Sequence, residues 1–200
     1  MKSNFSKERR DLLKSGCALA GTAALVTVGG SVNAFAAGGR GTQPQPVGSP
    51  ERFDTFVFAD GPKKGQEVKL EDIVQDAPPT TVQAVNGETG KVRESEHSTI
   101  LMYRVAPDKI PADIVGDTWQ GLIAYSAVCT HQGCLVDGWD AATKQFVCPC
   151  HQGLFDPLQG GENTGGAKTR ALPQIPVRIH DDKLVVGDAI MSWIGVKPGR

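Results

Sequence analysis

A chain of 200 residues has room for one domain plus a targeting or linking segment. A formal charge of −1, with no basic or acidic tract, excludes the broad basic face that a nucleic-acid binder needs to neutralise phosphates. Apolar and charged contents are ordinary, but 24 Gly and 13 Pro against 6% aromatic residues favour strands and turns over long helices.

The first residues read as an address. Glu8-Arg9-Arg10-Asp11-Leu12-Leu13-Lys14 resembles a twin-arginine export signal, a weakly hydrophobic stretch follows over 17–28, and Ala34-Phe35-Ala36 offers a small-residue cleavage pattern. Residues 1–36 are therefore predicted to be a signal peptide that sends the chain to the periplasm. Its apolar part, even taken over 17–32, is shorter than the roughly 20 residues of a spanning helix, so cleavage is favoured over a retained anchor. An uncleaved signal would instead leave the chain associated with the membrane. A lipid attached at Cys17 fits less well, because Lys14 stands where the apolar part of its motif belongs. Cleavage after Ala36 removes five Lys/Arg and two acids and takes the formal charge to −4. Residues 37–52, rich in Gly, Pro, Gln and Ser, are expected to form a flexible linker or extended arm, and 53–200 the folded domain.

Along that domain, short β-like runs fall at 55–58, 67–70, 82–85, 99–105, 121–126, 145–147, 175–179 and 183–186. Turn chemistry separates them, at Asp60-Gly61-Pro62, Asn86-Gly87, Asp137-Gly138 and Asp181-Asp182. The pattern predicts an all-β fold, a small antiparallel sandwich or barrel, with at most a helical turn over 70–75.

The chemistry sits between these runs. Cys129-Thr130-His131-Gln132-Gly133-Cys134 is followed, thirteen residues later, by Cys148-Pro149-Cys150-His151. Two thiolates and two imidazoles could hold zinc tetrahedrally, so a redox-inactive zinc-binding module is one reading. It leaves one cysteine in each loop without a role. A phosphate-binding loop over 160–168 fails because Ala167 separates Gly166 from Lys168.

The two loops resemble the Rieske 2Fe-2S family, whose signature is C-x-H-x-G-C followed by C-P-C-H. That resemblance implies a fold with a two-loop cluster-binding subdomain and one 2Fe-2S cluster per chain. It implies Cys129 and Cys148 as thiolate ligands of one iron, His131 and His151 as imidazole ligands of the other, and a Cys134–Cys150 disulfide between the loops. Neutral imidazoles in place of thiolates raise the reduction potential. By the same resemblance the chain is an electron carrier rather than a catalyst on its own. It works beside a larger catalytic oxidoreductase subunit and delivers electrons to a cytochrome-type acceptor.

Both disulfide cysteines together with an export signal match the exported Rieske proteins, among them the small subunit of arsenite oxidase and the quinol-oxidising subunit of cytochrome bc complexes. The arsenite oxidase resemblance extends over about 123–178, including Ile123-Ala124-Tyr125-Ser126, Phe155-Asp156 and Leu172-Pro173. The quinol-oxidising group carries Ser and Tyr hydroxyls where this chain has Gly153 and Phe155, and those hydroxyls stabilise the reduced cluster. Their absence implies a lower potential. Of the remaining candidates, Tyr125 and Phe155 are expected in the core, Trp119, Trp139 and Trp193 fit packing or docking equally, and His97 and His180 are expected to be solvated. Lys168 and Arg170 are expected on a wet loop surface.

Overall fold

The computed structural model describes residues 44–199, so the expected signal peptide and residues 37–43 lie outside the described residues. Ten strands carry the described chain: β1 (Thr55–Phe58), β2 (Thr80–Val85), β3 (Thr99–Arg104), β4 (Leu122–Ser126), β5 (Gly138–Asp140), β6 (Gln145–Cys148), β7 (Gly153–Asp156), β8 (Glu162–Gly165), β9 (Val177–His180) and β10 (Lys183–Val186). All pairings are antiparallel, and helix among the described residues is limited to single 3₁₀ turns such as Leu70–Asp72. The all-β expectation holds.

The base of the molecule is the meander β1-β2-β3-β4. Its edges are not left open, as unpaired strand edges invite association. Residues 173–175 run beside β4 through Ser126 N–H to Pro173 O (2.9 Å) and Ile175 N–H to Ala124 O (2.8 Å). The β9-β10 hairpin follows directly, and Val186 then pairs back with the residues before β1, through Phe53 N–H to Val186 O and Val186 N–H to Asp54 O (both 2.9 Å). Asp181 and Asp182 make the hairpin turn with φ of 48° and 60°, the left-handed pair of a two-residue turn whose twist suits the flanking strands. The stretch expected as a strand at 67–70 follows the outer edge of β1 only at its start, where Val68 N–H reaches Phe56 O at 2.9 Å. Asp72 then accepts from Lys69 N–H (3.0 Å), which bends the chain into the 3₁₀ turn.

Buried side chains divide into two cores according to strand parity. In β3, Ile100 and Met102 join Phe56, Val82, Ala84, Val177, Leu184 and Val186 inside the base. Leu101 and Tyr103 point to the other face, where they meet Tyr125, Phe146, Phe155 and Leu172. Strand β4 divides in the same way, with Leu122 and Ala124 inward and Ile123 and Tyr125 outward. Successive side chains leave a strand on opposite faces, so the central runs of these two strands, Ile100 to Tyr103 and Leu122 to Tyr125, carry buried side chains on both faces because they are covered twice. The second cover is the sheet β5-β6-β7-β8, which carries the loops of interest.

Residues 44–52, within the stretch expected as a linker or arm, make defined contacts. The Gln45 amide donates to Ile190 O and Ser192 O (3.2 Å each) and accepts from Ile194 N–H at 3.0 Å. Asp54, 2% exposed, accepts from Glu51 N–H (2.8 Å), Gly87 N–H (3.2 Å) and the Arg93 guanidinium (Nε at 2.5 Å). Every acceptor position is used, which is how a buried carboxylate is made tolerable.

Tyr125 is fully buried and donates its hydroxyl to Pro157 O at 2.9 Å, joining β4 to the turn after β7. Burial raises its pKa well above the ordinary phenol value, so the hydroxyl stays a donor. Tyr125→Phe should cost about 1–2 kcal/mol, the penalty of stranding a buried acceptor. The check is a lower urea midpoint with an unchanged denaturant slope.

Candidate metal centre

Two loops at the tip of the β5-β8 sheet bring the sequence motif together. The first follows β4. Cys129 N–H donates to Cys134 O (2.8 Å) and Gly133 N–H to Cys129 O (3.0 Å), closing a tight turn that requires the left-handed φ of 79° at Gly133. The second loop is the β6-β7 connection, beginning at Cys148 and ending at Gly153. A disulfide between Cys134 and Cys150 joins the loops, as expected, and leaves Cys129 and Cys148 as free, buried thiols.

The two thiols are buried in the same core, and the Cys129 sulfur lies within reach of the backbone N–H groups of His131 and Gln132. Burial pushes the Cys129 thiol pKa up, with Cys148 adding to the rise and the two N–H groups opposing it. Outside them stand His131 and His151, with ring centroids 4.7 Å apart and planes near perpendicular. His131 is half-buried, His151 exposed. The Nδ1 atom of His131 is buried without a hydrogen-bond partner, a costly arrangement for an imidazole unless another group satisfies it. Two inward thiols, two adjacent imidazoles and one orphaned ring nitrogen fit a metal cluster by the chemistry of the donor set. Cys134 also lies within 4.8 Å of Cys148, but its sulfur is committed to the disulfide.

A third segment completes the surround. Gly166 packs so closely on the second loop that a Cβ there would lie 1.9 Å from Gln152 O, and Ala167 N–H donates to His151 O at 3.3 Å. Thr130 Oγ1 donates to Arg170 O (2.6 Å) and lies 3.0 Å from Thr169 Oγ1, which ties the first loop to the same segment. Arg170, expected on a wet surface, is instead an internal tie. Its guanidinium donates to Ser192 Oγ (3.1 Å), Trp193 O (2.5 Å) and Gly195 O. Sequence reading missed this clamp because its acceptors are mostly backbone carbonyls, which carry no residue signature.

Gly153 and Phe155 flank the thiols. Phe155 is fully buried in the core that includes Cys129 and Cys148. A Cβ at Gly153 would meet Phe155 Cε2 at 3.3 Å and Cys148 Cβ at 3.6 Å. Trp139 packs on Tyr103 and Phe146, at 5.1 and 5.9 Å between centroids, and Trp119 packs against the base core. Trp193 donates to Val196 O at 2.9 Å. His97 is half-buried beside Ser95 Oγ (3.2 Å), less solvated than expected, while His180 is exposed against Phe53. A larger cleft of about 570 Å³ lies beside Phe53, Asp54 and Arg93, but none of the loop cysteines or histidines lines it.

A β-sheet domain that offers paired cysteine and histidine loops, locked by a disulfide around one orphaned imidazole, defines a metal-cluster protein. The chain belongs to the Rieske [2Fe-2S] domain family, whose model matches residues 74–176, and a Rieske domain implies a 2Fe-2S cluster. It is similar to a Haloferax mediterranei protein described as "Putative respiratory nitrate reductase subunit Rieske", with 46% identity over 93 residues, 46% of this chain and 41% of that protein. It is also similar to the cytochrome bc1 complex Rieske iron-sulfur subunit of Corynebacterium efficiens, with 42% identity over 65 residues, 32% of this chain and 16% of that one. The cytochrome b6-f complex iron-sulfur subunit of Chlorobaculum tepidum is 37% identical over 100 residues, 50% of this chain and 52% of that protein. The chain thus spans about half or less of the length of these relatives. Among solved structures, the plasma membrane Rieske protein PetC3 of Synechocystis PCC 6803 aligns at 21% identity with a TM-score of 0.34, over 54% of this chain and 86% of that one.

Proposed function

We propose that this chain is the one-electron carrier of an exported oxidoreductase complex, with Cys129, Cys148, His131 and His151 as the protein ligands of its cluster. The observation that carries this reading is the orphaned His131 Nδ1 beside His151 and the two free thiols, in a chain of the Rieske family. When bound, a 2Fe-2S cluster supplies reversible one-electron chemistry. The chain's residues do the rest. Cys129 and Cys148 face inward, where Phe155 and Phe146 exclude water. His131 and His151 face outward and offer a short path to a docked partner. The disulfide, Gly166 and Thr130 hold both loops, so that little geometry changes when charge does.

The Cys134–Cys150 bridge supports export, since disulfides persist in oxidising compartments, and the Arg9-Arg10 signal supports delivery to the periplasm after folding. Among exported complexes, the arsenite oxidase small subunit is the finer reading, supported by residues 123–178. The quinol-oxidising subunit of a cytochrome bc complex is the second, supported by the similarity to the bc1 and b6-f subunits. In either complex a larger partner subunit would process the substrate, and a cytochrome would accept the electron.

The test is EPR of dithionite-reduced protein from an export-competent host. The expected result is an anisotropic signal with average g below the free-electron value. A colourless, EPR-silent protein holding zinc would establish the redox-inactive module instead. Gly153→Ser tests the tuning position: its hydroxyl would stand next to Cys148. One hydrogen bond stronger by about 1.4 kcal/mol in the reduced state raises a one-electron potential by about 59 mV. Voltammetry of parent and variant measures the shift, and an unchanged or lower potential would remove position 153 from the tuning set.

A further inference from the structure

The loops around the metal centre carry positive charge with no acid among them. Four segments enclose it, residues 128–136, 148–155, 163–175 and 189–199; none contains Asp or Glu, and the nearest acids in sequence, Asp137, Asp156, Glu162 and Asp188, stand just beyond their ends. They contain Lys168, Arg170 and Lys197. The chain as a whole has 22 acids against 21 Lys and Arg, so its negative charge lies elsewhere. Lys168 and Lys197, with Arg170, line a cavity of about 140 Å³ whose other walls are Thr130, His131, Thr169 and Val196. No acid lines it.

This basic rim is built and held in place. Ile190 and Ile194 anchor the C-terminal segment in the base core, and Gln45 bonds it on one side. Arg170 spends its guanidinium on Ser192, Trp193 and Gly195, which fixes the path of the chain just before Val196 and Lys197. Val196 is half exposed and lies 3.9 Å from where a Cβ on Gly133 would be, so an apolar contact surface adjoins the first ligand loop. Lys168 and Lys197 are both exposed. The result is an apolar spot beside His131, rimmed by two ammonium groups, on a chain that is otherwise acidic.

We propose that this face docks an electron-transfer protein whose own redox centre is surrounded by carboxylates, with Lys168 and Lys197 steering the encounter and Val196 making the contact. The proposal rests on the electron-carrier reading. Like charges between the acidic surfaces of the chain and such a partner disfavour approach there, so the field helps orient the collision as well as speeding it. Long-range steering of this kind is screened by salt, which makes it measurable.

The experiment uses the holoprotein, first shown to carry the reduced-state EPR signal, and an acidic c-type cytochrome as probe, with a basic one as contrast. Stopped-flow oxidation of the reduced protein follows one electron passing to ferric haem, giving ferrous haem and oxidised protein. With the acidic probe the rate should fall as salt rises. Lys168→Glu/Lys197→Glu should lower it about tenfold at low ionic strength and reverse the salt dependence. The Lys64→Glu/Lys91→Glu control, of equal net charge, should change it little. Independently of turnover, carbodiimide coupling, which joins a lysine amine to a carboxylate with loss of water, should place cross-links at Lys168 and Lys197. Cross-links mainly at other lysines, a salt-independent rate, or faster reaction with the basic cytochrome would overturn the proposal. So would binding to anionic phosphatidylglycerol vesicles without cytochrome cross-links, which would make the face a membrane contact. Absence of the EPR signal in the parent would overturn the carrier reading itself, whereas failure with the signal present falls on the docking face alone.

Discussion

Cys148→Ser should yield a folded chain, still bridged between Cys134 and Cys150, that contains no cluster and shows no reduced-state EPR signal. Cys148 closes β6 and is 2% exposed, facing the equally free Cys129. The substitution removes the soft, readily ionised sulfur that iron prefers and leaves a hydroxyl that stays protonated. Changes to groups that merely orient ligands cost 10–100-fold in affinity in other metal sites, so removal of a ligand should cost considerably more. The fold has reason to survive, because the β6-β7 register and the disulfide do not depend on that sulfur. Iron and acid-labile sulfide per chain, read beside circular dichroism, separate loss of cluster from loss of fold. Gln152→Ala, an exposed change one residue from His151, should retain full iron content. A Cys148→Ser protein with the parent's iron content would refute the ligand assignment.

The site was more legible in the sequence than the sheet that carries it. Both loops are contiguous and made of chemically distinctive residues, so the two cysteine-histidine loops could be picked out by type and spacing, while the division of their four cysteines into two ligands and a bridged pair came from the family resemblance. The strands at 55–58 and 183–186 were equally readable, since each joins apolar residues to recognisable turn chemistry. Strands β5, β7 and β8 were not expected. Strand β8 is Glu162-Asn163-Thr164-Gly165, polar on both faces, with Glu162 and Thr164 exposed and no core to impose alternation. Strand β5 begins at Gly138, read as a turn because Asp-Gly usually is one; the flanking partner β6 overrides that local preference. The apolar run of β3 was recognisable as a strand, but that it is buried on both faces depends on what packs above it. Arg170 illustrates the remaining gap. A lone arginine on a glycine-rich loop has the composition of a solvated surface, and only the return of residues 192–195 gives it carbonyls to bind.

The second large effect concerns the bridge. Cys134→Ser/Cys150→Ser should lower stability by about 3 kcal/mol, the loop-entropy value for a bridge spanning about fifteen residues, against an actual separation of 16. The native loops have other ties: the first has Cys129 N–H to Cys134 O and Val136 N–H to Ala127 O at 2.7 Å, and the second has Ala167 N–H to His151 O. None of these joins the two loops directly. The loss should therefore appear mainly as a less restricted unfolded chain, with a steeper denaturant slope and a lower urea midpoint. It should also loosen the placement of His131 against His151, whose rings stand 4.7 Å apart, because without the bridge only the cluster itself would tie the two loops directly. Cluster loss on warming, followed by bleaching of the visible absorption, should then be faster in the double variant than in the parent, and the parent treated with reductant should approach the variant. Cys150 is exposed, so reductant can reach the bridge. Equal urea midpoints and equal bleaching rates would mean that the third segment, through Gly166 and Thr130, secures the loops without the disulfide.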